Sequence, residues 1–183
     1  MIRVVDFLFA FFGIIFFSPV FLVIFILCLR DTGSPIFVQE RVGKFKKPFK
    51  LIKFRTMNVN TKSVATHLSD ESAVTKLGRF LRNSKLDELP QLINVLMGNM
   101  SSVGPSPSLF SQIEVITERD KLGVHNVNPG ITGLSQIQSI DMSRPEELAL
   151  SDAEMIRNFS LLNYFKYIFA TVGGKGQGDR INK

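Results

Sequence analysis

The stretch Lys85-Leu86-Asp87-Glu88-Leu89-Pro90-Gln91 sets two adjacent carboxylates where a helix is expected to begin. Asp87 suits an N-cap, Pro90 fits a first turn, and Leu92, Ile93, Val95 and Leu96 continue an apolar helical period. An acid so placed faces unpaired backbone N–H groups and the positive end of the helix dipole, which favours its ionised form. The same donors suit a phosphate. An ionised Asp beside a phosphate can act as a nucleophile, and the neighbouring Glu can hold a divalent cation. The plainer alternative is a capped surface helix whose acids merely complement its dipole. The pair alone does not separate the two.

Upstream, Val4 to Leu29 is apolar throughout except for Asp6 and a few small residues. At about 1.5 Å per residue it is long enough for a hydrocarbon core of roughly 30 Å. It exceeds a signal-peptide apolar region and lacks a small-residue cleavage pattern, so it is expected in the mature protein. Ser18-Pro19 lies near its middle, where proline removes a backbone bond and a kink or break is expected. Basic residues flank both ends: Arg3 before it, then Arg30, Arg41, Lys44, Lys46 and Lys47. A helix that enters, bends at Ser18-Pro19 and returns to the same face accounts for this; an ordinary kinked span is the alternative.

The 183 residues carry a formal net charge of +6, much of the excess lying between Arg41 and Arg55. A basic cluster beside a membrane segment reads as contact with anionic headgroups or as a phosphate-rich substrate site. Nucleic acid is set aside: no reader motif is present, and Phe37, Phe45, Phe49 and Phe54 suit interfacial burial. The one cysteine, Cys28, excludes an intrachain disulfide and a cysteine metal site, while His67 and His125 are isolated.

Beyond the anchor, Ile36–Glu40 and Phe49–Phe54 read as strands, and Asn58–Ser72 as a polar loop. Val74–Leu81, Glu88–Met97 and Leu109–Leu122 read as helices. Pro145–Phe159 and Leu161–Val172 follow as two terminal helices, the second apolar enough to lie on a bilayer. Val103-Gly104-Pro105-Ser106-Pro107 and Asn128-Pro129-Gly130-Ile131-Thr132-Gly133 are rigid turns whose N–H groups could face an anion. The fold class is α/β, mainly helical. It combines a membrane anchor over 1–30, a soluble module over 31–172 with a small sheet or hairpin, and a flexible basic tail over 173–183. That tail, Gly173 to Arg180, has neither the Ser/Thr of a P-loop nor a dinucleotide context.

These pieces together resemble the bacterial sugar transferases, specifically the small monotopic phosphoglycosyl transferases. The resemblance covers Gly33 to Gly43, Lys53-Phe54-Arg55-Thr56-Met57, Leu77-Gly78-Arg79-Phe80-Leu81-Arg82, Leu86 to Leu96, Ser102-Val103-Gly104-Pro105 and Pro129 to Gln136. It implies transfer of a phosphosugar from a UDP-sugar to undecaprenyl phosphate with release of UMP. This would be the first membrane step of O-antigen, capsule or glycoprotein glycan assembly. By that resemblance Asp87 is the nucleophile that carries a phosphosugar intermediate, Glu88 holds Mg²⁺, and the anchor is a re-entrant helix broken at Ser18-Pro19. Candidate substrate-binding residues are Lys53, Arg55, Arg79, Arg82, Gln91, Gly104, Pro105, Thr132, Gln136 and Asp152. Any of Lys53, Arg55, Arg79 and Arg82 could instead serve lipid headgroups, substrate contact being favoured for Lys53 and Arg55. The implied location is the cytoplasmic face of the bacterial inner membrane. Implied partners are the phospholipid bilayer, a second copy of the chain and downstream glycosyltransferases.

The chain departs from the family pattern in places. Ser106 replaces the arginine of Gly-Pro-Arg-Pro, removing a bidentate phosphate donor. Asn99, Asn128, Gln138-Ser139-Ile140 and Tyr164 stand where the family often has Asp, a basic residue, Asn-Gly-Arg and Asp. Two alternatives remain: direct attack by the lipid phosphate with Asp87 only polarising the site, or a membrane-anchored scaffold without chemistry. The Gly-Lys-Gly-Gln-Gly-Asp-Arg tail is similar to a subgroup that uses 6-deoxy N-acetylamino sugars. If the anchor delivers the site to the lipid, deleting Val4 to Leu29 abolishes turnover of the long-chain acceptor. Equal turnover by the truncated chain in a UMP-release assay would count against that arrangement.

Overall fold

The computed structural model describes residues 2–61 and 71–176. Most of the expected Asn58–Ser72 loop, His67 and residues 177–183 of the tail lie outside the described residues.

Helix α1 spans Ile2–Thr32 and continues through Ser18-Pro19 instead of breaking there. The reason is local. Proline at 19 cannot donate to the carbonyl of Ile15, and the Ser18 hydroxyl donates to that same carbonyl at 2.8 Å. Only a narrow stripe of α1 is covered: Asp6, Ala10, Ile24 and Cys28 are buried, with Gly13, Ile14, Val20 and Phe21 half-buried between them. Apart from Val5, half-buried against the Tyr164 cluster, the remaining apolar side chains are exposed, Phe16 at 76 %. Both halves of this stripe meet the same module. Ala10 packs with Phe49, Leu51, Leu92 and Val95, whereas Ile24 and Cys28 pack with Phe54 and Leu81.

Strands β1 (Ile36–Val42) and β2 (Pro48–Phe54) form an antiparallel hairpin with register Ile36↔Phe54 to Val42↔Pro48. Alternation along β2 turns Phe49, Leu51 and Lys53 to one buried face, so an ammonium ends a row of core side chains. Helix α2 (Lys76–Ser84) starts at Thr75, whose hydroxyl accepts from the Gly78 N–H. It ends at Lys85 in the left-handed region, φ 59°. A 3₁₀ turn over Leu86–Glu88 leads to α3 (Gln91–Met97).

The two proline-glycine stretches frame a second sheet, which their turn chemistry concealed. Strand β3 (Ser101–Val103) runs parallel to β4 (Gly130–Thr132). A Cβ on Gly130 would sit 2.0 Å from the Gly104 nitrogen, so this approach requires glycine. Helix α4 (Ile113–Lys121) is shorter than the expected Leu109–Leu122, because the Gln112 side chain accepts from the Leu109 N–H at 2.9 Å and holds that segment in a turn. A single helical turn α5 (Leu134–Ile137) precedes α6 (Pro145–Arg157) and α7 (Leu161–Val172). Tyr164, Tyr167 and Ile168 of α7 pack on Val103 and Met155, while Leu162, Phe165, Phe169 and Val172 are exposed. Gly130→Ala is expected to cost at least about 2 kcal/mol, read as a lowered thermal midpoint, because the added methyl has only backbone to displace.

Candidate active site

The carboxylate pair lies in the 3₁₀ turn before α3, and Pro90, not Asp87, occupies the α3 N-cap. Pro90 and the left-handed Lys85 fix the chain on either side of the pair. Leu86 and Leu89 rest on the cluster of Ile24, Cys28, Phe54 and Leu81, so the pair stands directly on the apolar anchor helix. Asp87 is only 3 % exposed. Glu88 Oε1 lies 3.2 Å from Lys53 Nζ, both side chains largely buried. Gln91, one turn on, is buried as well.

What aligns β2 with the acid turn is a residue the sequence reading passed over. Asn94 is fully buried on α3; its amide nitrogen donates to the Lys50 carbonyl at 2.7 Å and its oxygen accepts from the Ile52 N–H at 3.0 Å. The amide thus pairs with the edge of β2 and fixes Lys53 opposite Glu88. A polar residue inside Leu-Ile-Asn-Val-Leu was the available signal.

The cations divide by environment. Arg82 Nε donates to Thr56 Oγ1 at 2.8 Å, and a Cβ on Gly78 would lie 2.0 Å from the Thr56 carbonyl oxygen, so α2 sits hard against the end of β2. Arg79 is exposed on the same helix. Arg55 is used locally: it donates to the carbonyls of Ser34 and Ile36 at 2.9 and 3.2 Å and lies over the Phe37 ring.

The Pro105–Ser108 turn is held through four consecutive carbonyls. Pro105 accepts from the Gly130 N–H, Ser106 from Arg119, Pro107 from Arg41 and Ser108 from the Val42 N–H. The Gly104 N–H donates to Thr132. The Gly104 N–H is therefore taken by the Thr132 carbonyl and the Gly130 N–H by the Pro105 carbonyl, so neither is presented to an anion as the turn chemistry had suggested. Beneath Ser106, Arg119 and Asp152 form an ion pair at 2.7 Å, 2 % and 0 % exposed, and Ser135 donates to the other carboxylate oxygen. Asp152 is thus a structural ligand. The arginine that reaches position 106 is already neutralised, and it does not replace the cation missing there. His125 lines a small cleft with Pro105, Ser106 and Arg119; burial first, then the Arg119 charge, pushes its pKa below the ordinary histidine value.

Thr132 shares a hydroxyl hydrogen bond with Thr171, and Gln136 Nε2 donates to the Ile131 carbonyl at 3.1 Å. The segment after α7 then links this side to the acid turn: Lys85 Nζ donates to the Lys175 carbonyl at 2.9 Å, and Gly176 lies against the Gln136 backbone.

Among the described residues no group of three or more His, Cys, Asp and Glu is assembled for a metal. Mg²⁺ does not require one. It is commonly held through one or two carboxylates, with water and phosphate oxygens completing the shell. Glu88, a largely buried carboxylate beside the Lys53 ammonium and next to Asp87, fits that donor set. Arg119→Met, which strands Asp152 as a buried charge, is expected to lower stability by about 3–5 kcal/mol in a denaturant or thermal unfolding measurement.

The family model for bacterial sugar transferases matches residues 1–175. A UDP-glucose:undecaprenyl-phosphate glucose-1-phosphate transferase of Escherichia coli is 40 % identical over 153 residues, 79 % of this chain and 33 % of that protein. A UDP-galactose-lipid carrier transferase of Erwinia amylovora is 34 % identical over 172 residues, 85 % of this chain and 36 % of that protein. The exopolysaccharide production protein ExoY of Sinorhizobium fredii is 33 % identical over 189 residues, covering 93 % of this chain and 83 % of the relative. The chain thus spans about a third of the first two relatives and most of the third. It belongs to the bacterial sugar transferase family.

Proposed function

We propose that this chain transfers a phosphosugar from a UDP-sugar to undecaprenyl phosphate and releases UMP, with Asp87 as the nucleophile. The observation that carries this reading is the buried Asp87-Glu88 turn, set beside Lys53 and standing on the membrane helix. The names of the Escherichia coli and Erwinia amylovora relatives support the substrate class.

An Asp87 oxygen attacks the β-phosphorus of the donor, and the bond from that phosphorus to the bridging oxygen breaks. UMP departs with the bridging oxygen, leaving the phosphosugar on the carboxylate. An oxygen of the lipid phosphate then attacks the same phosphorus and the aspartyl bond breaks, returning the carboxylate. Splitting the transfer this way keeps two phosphate substrates from having to be neutralised at once. Lys53 orients Glu88 and adds positive charge where the diphosphate approaches. Mg²⁺ on Glu88 would neutralise diphosphate oxygens and the leaving UMP. Arg79 and Arg82, on the helix that abuts Thr56, are the further cations assigned to substrate, with Gln91, Thr132 and Gln136 as polar contacts.

The anchor is read as re-entrant on the cytoplasmic face of the inner membrane. Arg3 donates to the Val95 and Met100 carbonyls, and the Cys28 thiol donates to the Arg55 carbonyl at 3.7 Å, so both ends of α1 hold one module. A helix crossing the bilayer perpendicularly would carry part of that module into hydrocarbon, where its polar groups are costly.

The test is UMP release from a panel of UDP-sugars with Mg²⁺ and undecaprenyl phosphate, comparing wild type with Asp87→Asn. Release is expected to fall at least about 10³-fold in the variant, and a labelled phosphosugar should remain on the wild-type chain when acceptor is withheld. UMP formed only when acceptor is present would assign direct transfer instead; no UMP from any donor would favour a scaffold.

A further inference from the structure

Asp6 is the only charge in the apolar run, it is 2 % exposed, and the transfer chemistry does not use it. Three donors converge on its Oδ1: the Tyr164 hydroxyl at 2.7 Å, the Ser102 N–H at 2.8 Å and the Ser101 hydroxyl at 3.0 Å. These come from two elements distant in sequence, β3 and α7. Burial pushes the Tyr164 pKa well above the ordinary phenol value, which keeps its hydroxyl a donor. One turn earlier Arg3 donates to the Val95 and Met100 carbonyls, closing the C-terminal end of α3. The first two turns of α1 therefore hold the helix that follows the acid pair and the strand that runs into Gly104-Pro105.

We propose that Asp6 is a positioning residue: it fixes how α1 is seated between bilayer and catalytic module, and so sets access of the membrane-borne acceptor. Apolar contacts cannot do this alone, because a helix face leaving hydrocarbon for protein gains little from the exchange. Directional bonds to a buried carboxylate supply the missing registration. All three bonds end on one oxygen, so an Asn oxygen can receive them, whereas Leu at 6 strands three donors.

The acceptor part of the inference rests on the transferase reading, and a second readout is independent of it. A Phe16→Cys chain carries an NBD fluorophore at an exposed position near the middle of α1, in vesicles of phosphatidylethanolamine and phosphatidylglycerol with spin-labelled lipids of known depth. Asp6→Leu is expected to change the quenching profile, Asp6→Asn to retain it, and Tyr164→Phe to fall between. In the turnover assay Asp6→Leu should raise KM for undecaprenyl phosphate about tenfold, with KM for the UDP-sugar and the acceptor-free UMP burst unchanged. Unchanged quenching in Asp6→Leu would overturn the inference, as would an equal loss in both half-reactions. If Asp6→Leu does not fold, Tyr164→Phe decides, since it removes one donor without altering α1; a wild-type profile and wild-type KM in that variant would also overturn it. A wild type that turns over no donor would sink the transferase reading while leaving the quenching comparison to decide the seating of α1.

Discussion

One helix must satisfy two solvents, and the rest of the structure is organised around that constraint. The outward side chains of α1 are phenylalanines and aliphatics suited to lipid, so burying its inner stripe cannot draw strongly on the hydrophobic effect. The stripe instead uses small residues, Ala10, Gly13 and Cys28, which bring the helix close to its partners. Polar bonds gather at its ends, through Arg3 and Asp6 at one and Thr32 at the other. Close packing supplies the contact and hydrogen bonds supply the direction.

The acid pair inherits its position from this arrangement. Its two flanking leucines are bedded on α1, so the carboxylates sit where apolar anchor and polar module meet. Such a level suits chemistry between a water-soluble nucleotide and a lipid phosphate. Around the turn at Ser106 the polar design is different. The guanidinium below it is matched by Asp152, and the turn is held through its carbonyls. A serine there gives this turn a different electrostatic character from an arginine.

Much of the fold could be read from residues of strong local meaning. The β1–β2 hairpin, α2, α6 and α7 follow from alternation, a Thr cap, an N-terminal proline and a long apolar period. The candidate acids were legible as a carboxylate pair at an expected helix start before Pro90, and Lys53 as part of the basic cluster and the Lys53-Phe54-Arg55-Thr56-Met57 stretch. The parallel β3–β4 pair was not legible: each strand has three residues, and the glycines that permit their approach also look like turn formers. Asp-Glu-Leu-Pro points to Asp87 as an N-cap, but the pair lies in a 3₁₀ turn and Pro90 takes the α3 N-cap. Asn94, Arg119 and Tyr164 act through partners 42, 33 and 158 positions away, a reach that local pattern does not encode. Pro19 signalled a break, whereas the adjacent hydroxyl repairs the helix.

The Asn94 amide has a consequence beyond aligning the site. By engaging the Lys50 carbonyl and the Ile52 N–H, it behaves as a strand one residue long. The hairpin is thereby closed on the side of β2, where an incoming extended chain would otherwise find a ready template. Its other side is β1, where Glu40 is exposed and the Val42 N–H is already taken by the Ser108 carbonyl. A two-stranded sheet lying against a greasy helix is an obvious nucleus for association during synthesis and membrane docking. Here one carboxamide guards one border, and an exposed acid with the Ser108 carbonyl guards the other.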